Sequence, residues 1–64
     1  MTFKIGDIVR PTDMIPVSNK QNMFEDEEGT IVAITPHGNS FLITVKRNGD
    51  GAIFKAIDYL WEHI

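Results

Sequence analysis

Two stretches, Gly29-Thr30-Ile31-Val32-Ala33-Ile34-Thr35 and Ser40-Phe41-Leu42-Ile43-Thr44-Val45-Lys46-Arg47, decide the fold. The first is a β-branched run between Gly29 and the turn-forming Pro36-His37-Gly38-Asn39, the composition of a mostly buried strand and its turn. The second alternates, with Phe41, Ile43 and Val45 on one side of an extended chain and Leu42, Thr44 and Lys46 on the other, as in a sheet with one packed face. That register predicts Phe41, Ile43 and Val45 in the core together with Ile31. Asn48-Gly49 follows, a pair that accepts positive φ at both central positions of a two-residue hairpin. The next strand, Gly51 to Lys55, is therefore expected to return antiparallel.

On the N-terminal side, Phe3-Lys4-Ile5-Gly6-Asp7-Ile8-Val9-Arg10 reads as a short strand entering through a glycine-containing bend, with Val9 inward. Pro11 ends it, because proline has no amide for the ladder and holds the preceding residue extended. On the C-terminal side, Ala56-Ile57-Asp58-Tyr59 reads as one tight helical turn and residues 60–64 as a closing strand. Leu60, expected in the core, then shares a side with Glu62 and Ile64, and Trp61 with His63. Residues 11–28 hold no helix or strand period. A connection of that length in a compact domain is uncommon and tends to carry function. The expected fold class is all-β, five short strands in a single domain spanning 1–64.

Composition narrows the function. Sixty-four residues with 42% hydrophobic and 23% charged side chains lie within the globular range, and a chain this short buries only about 60% of its unfolded surface. There is little room for a catalytic cleft. Without cysteine the chain has neither a disulfide framework nor thiolate ligands for zinc, which fits a reducing cytoplasm. No apolar run reaches a membrane span and no signal-peptide pattern opens the chain, so neither a membrane nor export is expected. A formal net charge of −3 disfavours nucleic acid, whose binding depends on Lys and Arg displacing counterions.

The order of elements resembles the SH3-like barrels, and particular residues carry the resemblance. Phe3-Lys4-Ile5-Gly6-Asp7-Ile8-Val9 is similar to the F-x-x-G-D-x-V entry of KOW, Tudor-like and small stand-alone phage or prophage SH3-like proteins. Gly29-Thr30-Ile31-Val32 is similar to their G-x-I/V second strand, and Ile57-Asp58-Tyr59-Leu60-Trp61-Glu62 to their closing segment. The resemblance implies a five-stranded SH3-like barrel with a long first loop and one short helical turn before the last strand. It implies little about function, since one fold serves many binding partners. Signalling SH3 domains hold proline-rich ligands on aromatics of the first loop; here that loop offers only Phe24, which argues against such recognition. KOW kinship implies nucleic-acid or ribosome contact.

The residues themselves leave paired readings open. Glu25-Asp26-Glu27-Glu28 is either a solvated face that keeps a small domain soluble or a surface that steers a basic partner. Met14, Ile15, Val17, Met23 and Phe24 in the same segment either fold back to cap the core, with Ile15 or Val17 and Phe24 the expected caps, or leave an adaptable apolar patch. Tyr59 and Trp61 form either a stacking platform or cage for a base or methylated ammonium, or a seal in which Trp61 packs on Phe3 with only its indole edge in water. His37 and His63 lack the neighbours of a zinc site and are expected at the surface. Arg47-Asn48-Gly49-Asp50-Gly51 lacks the alternating acids of a calcium loop.

No nucleophile, base and oxyanion donor occur together, so no enzyme and no cofactor are expected. The expected function is a non-enzymatic protein-binding module, of the kind a small phage protein turns on a host protein. Its contact residues are Met14, Met23, Phe24, Glu25, Asp26, Glu27, Glu28, Tyr59 and Trp61, and its partner is a protein with a basic surface. The alternative is KOW-type nucleic-acid or ribosome binding through Arg10, Lys46, Arg47 and Lys55.

Overall fold

The computed structural model describes residues 2–16 and 22–64. The alternating run becomes strand β5 (Ser40–Arg47), paired antiparallel with β4 (Gly29–His37) before it and β6 (Ile53–Ile57) after it. The N-terminal strand β1 (Ile8–Pro11) joins β4, and the closing strand β7 (Trp61–His63) joins β1. The result is one antiparallel sheet in the order β6-β5-β4-β1-β7, not closed, with β6 and β7 as its edges. A single 3₁₀ turn, Asp58–Leu60, links β6 to β7. The chain is all-β, and no helix among the described residues is long and apolar enough to cross a membrane.

The core lies on the side to which the period-two pattern points. Val9, Ile31, Ile43 and Val45 are fully buried, and Phe54, Ala56, Ile15, Met23 and Trp61 complete the cluster. Burying each large side chain stabilises by roughly 1.5–3 kcal/mol, the scale a domain of this size depends on. Phe41 and Leu60, expected in the core, are only half-buried at its margin. Phe41 keeps to the core side but lies at the end of the ladder beside the β4–β5 turn, and Leu60 lies inside the 3₁₀ turn, where strand alternation no longer decides which way a side chain faces.

Several boundaries move for local reasons. The N-terminal strand begins only at Ile8: residues 4–7 form a turn in which Gly6 takes φ +97° and the Asp7 N–H donates to the Lys4 carbonyl. Strand β4 runs on through Pro36 and His37, leaving Gly38-Asn39 as the turn. Next to the closing pair His37 and Ser40, Pro36 stands at a non-hydrogen-bonded site, where its missing amide costs the β4–β5 ladder nothing. A bulge between Ile31 and Ala33 leaves Val32 exposed.

The expected Asn48-Gly49 two-residue hairpin is replaced by a four-residue connection. Arg47 N–H donates to Ala52 C=O at 2.8 Å, and the positive φ falls on Gly51, not Gly49. Strand β6 consequently starts at Ile53 instead of Gly51. The segment 11–28, expected to be irregular, contains a short antiparallel ladder between β2 (Ile15–Pro16) and β3 (Asn22–Met23). Its two inward residues, Ile15 and Met23, reach the core; two-residue strands are too short to leave a period in sequence.

Candidate functional site

The acidic segment is organised around Glu27. Its carboxylate accepts the Phe24 N–H at 2.8 Å while its own N–H donates to the Phe24 carbonyl at 2.9 Å, closing residues 24–27 into a tight turn. Arg47 reaches the same carboxylate through Nη1 at 3.2 Å and also donates to the Asn22 carbonyl at 3.1 Å. Its other edge holds Asp50, with Nε to Oδ1 at 2.8 Å and Nη2 to Oδ2 at 2.7 Å. This two-pronged bond draws the Asp50 carboxyl well below the usual carboxylate range, helped by the Ala52 N–H, and raises the Arg47 guanidinium. One arginine therefore ties the acidic turn to the β5–β6 connection.

That anchoring fixes what the tip of the turn presents. Phe24 stands 47% exposed, so it does not cap the core; Ile15 and Met23 do, and Val17 lies outside the described residues. Phe24, Glu25 and Asp26 face Arg10, Thr12 and Glu62 across an open groove between the turn and the β1–β7 edge. Arg10 and Glu62 are cross-strand partners joined at 3.0 Å, a half-exposed pair worth about 0–1 kcal/mol. Glu25, Asp26 and Glu28 are exposed and form no ion pair among the described residues. The groove thus joins one apolar ring to carboxylates that have no ion-pair partner among the described residues.

A second groove gathers aromatic side chains. Tyr59, 72% exposed on the 3₁₀ turn, lies with Asp58 beside the half-buried Phe3 and Phe41, and Trp61 forms the floor. Trp61 itself is only 3% exposed, and its indole N–H, expected to meet water, donates to the Ala56 carbonyl at 3.3 Å. Phe3 packs against the His63 ring with centroids 4.7 Å apart. His63 Nε2 lies 2.9 Å from Asp7 Oδ2, and this contact, with the Lys4 N–H, lowers the Asp7 carboxyl.

The expected contact residues therefore divide. Phe24, Glu25 and Asp26 share the first groove, with Glu28 exposed nearby in sequence; Tyr59 belongs to the second; Met14 is exposed on the chain leading into β2. Met23 and Trp61 are core residues closed to a partner, and Glu27 is spent on holding the turn. The four basic residues of the nucleic-acid alternative do not form one free stripe: Arg10 is paired to Glu62 and Arg47 to Glu27 and Asp50. Lys46 and Lys55 remain on the outer sheet face. The role of Arg47 was not legible in sequence, because its partners Asn22 and Glu27 are 25 and 20 residues away.

No family model, no curated protein and no solved structure matches this chain.

Proposed function

We propose that this chain is a non-enzymatic binding module of the SH3-like barrel type, engaging a protein with a basic surface through the groove lined by Phe24, Glu25, Asp26 and Glu62. The architecture is supported by the sheet order, in which the last strand pairs with the first and a 3₁₀ turn precedes it. The observation that carries the function is the pinned turn: Glu27 is engaged by the Phe24 N–H and by Arg47, while the tip displays an exposed aromatic ring beside Glu25 and Asp26, carboxylates with no ion pair among the described residues. Such a surface suits a lysine or arginine flanked by apolar contact, with the charges setting encounter and specificity and the ring setting residence time. The resemblance of the opening residues to small stand-alone phage or prophage SH3-like proteins would make that partner a host protein.

The exposed Tyr59 beside Asp58, Phe3 and Phe41 supports a second reading, in which a cationic group sits against the aromatic faces. Affinity capture from lysate of the native host, with and without nuclease, tests the first reading against nucleic-acid tethering. A partner that survives nuclease and is lost with Phe24→Ala supports the groove. One lost only with Tyr59→Ala moves the site to the aromatic groove, and one lost to nuclease restores the KOW-type alternative.

A further inference from the structure

Among the described residues strand β6 has a hydrogen-bonded neighbour on one side only, and its ladder with β5 defines what the other side offers. The Arg47 N–H to Ala52 C=O bond sets the phase. In an antiparallel ladder, bonded and non-bonded pairs alternate, so Phe54 and Ala56 bond to Val45 and Ile43. Ile53, Lys55 and Ile57 therefore turn their N–H and C=O groups away from the sheet. The Ile57 C=O, at the N-cap of the 3₁₀ turn, accepts the first bond of that turn, and none of the other five groups has another backbone or side-chain partner among the described residues. The opposite edge is much shorter: β7 has three residues, and the Trp61 N–H is already given to the Asp58 carbonyl.

The side chains on this edge choose the occupant. Ile53, Lys55 and Ile57 lie on the outer face, with Lys46 directly across from Ile53 on β5. Neither lysine has an ion pair among the described residues. A second copy added antiparallel through the same three residues would set Lys55 against Lys55, with both Lys46 side chains nearby, and like charges directly opposite destabilise a strand pair. An incoming strand with a carboxylate opposite Lys55 and apolar residues opposite Ile53 and Ile57 meets the charge and the apolar surface at once.

We infer that the β6 edge is a strand-addition site for an extended acidic peptide segment, using main-chain hydrogen bonds for affinity and Lys55 for selection. It shares no residue with the Phe24 groove and stands independently of that reading. The test titrates isotope-labelled protein with the capped heptapeptide TVTETVT and with its counterpart TVTKTVT. The amides of Ile53, Lys55 and Ile57 are expected to shift and gain protection from exchange with the first, while the second binds about tenfold more weakly. Lys55→Pro removes an amide that β5 does not use, at an edge position where proline is tolerated; it should abolish binding while spectral dispersion is retained. Lys55→Glu, which keeps the edge intact, should reverse the preference between the two peptides. Equal binding of the two peptides, or no protection of the three amides at millimolar peptide, overturns the inference. A dimer protecting those amides without peptide also overturns it, assigning the edge to a second copy.

Discussion

Arg47 lies with its guanidinium carbon 5.0 Å from the centroid of the Phe54 ring, across the end of the core. The two residues are on neighbouring strands and on the same inner face, since Phe54 is paired with Val45, two residues before Arg47. The planar cation closes the apolar cluster while its N–H groups hold Asn22, Glu27 and Asp50. Lysine has neither the planar stack nor the fork. Arg47→Lys is therefore expected to lower Tm and speed amide exchange at Glu27 and Asn48, whose N–H groups bond within or next to the acidic turn. Exchange at Ile43 should change less. Unaltered protection at Glu27 would show that the turn holds itself without the arginine.

Acid should weaken the same attachment. The Asp50 and Asp7 carboxyls both lie below their ordinary value of 3.8, Asp50 chiefly through Arg47 and Asp7 chiefly through His63. A carboxyl lowered in the folded state contributes stability that is complete above its unfolded value and lost as pH falls through the folded one. Thermal melts should show these contributions intact above about pH 5 and declining below about pH 4. Asp50→Asn should flatten that decline and lower Tm at neutral pH. An acid limb identical to the parent's would remove Asp50 from the account.

Gly29 is required by space, not by φ. A Cβ there would overlap Val45 Cγ1 and lie 3.0 Å from the Lys46 carbonyl and 3.3 Å from Met23 Cε. Gly29→Ala should destabilise by about 1–3 kcal/mol, the cost of forcing a packed core apart. Gly49→Ala, with open space around it and no positive φ, should fall within about 0.5 kcal/mol of the parent. Urea denaturation of the pair checks the contrast, and similar midpoints would refute it.

Core truncation provides a scale for the others. Ile43 is fully buried in β5, an interior strand of the sheet, and Ile43→Ala is expected to cost about 2–4 kcal/mol. Trp61→Phe keeps an aromatic ring but removes the indole donor from the Ala56 carbonyl, which retains its ladder bond to Ile43, so the lost hydrogen bond is expected to cost about 0.5–1.5 kcal/mol. A Trp61→Phe variant as stable as the parent would show that the ladder bond alone satisfies the Ala56 carbonyl.

The proposed groove separates rate from residence. With a captured partner, Glu25→Gln and Asp26→Asn together should slow association and flatten its salt dependence, whereas Phe24→Ala should mainly hasten dissociation. Glu27→Gln should instead loosen the turn and show in amide exchange. Unchanged association rates across salt concentrations would leave Glu25 and Asp26 as a solvated face.

Whatever a single strand can encode was legible in the order of its own residues. The alternation of Ile43 and Val45, the β-branched run containing Ile31, and the inward Val9 specify strands and core faces because a period of two is a local property of the chain. The tight turn before Trp61 was also legible, expected at residues 56–59 and found at Asp58–Leu60. The remaining placements depend on residues that folding brings together from afar. Glu27 left its acidic neighbours because Arg47 arrives from 20 residues away. Met23 went inward and Phe24 outward because a two-residue ladder with Ile15 set their register. The groove itself needed Arg10 and Glu62, 52 residues apart, to meet across β1 and β7. Local periodicity writes the strands, but the side chains that charge a surface take their roles from partners that folding supplies.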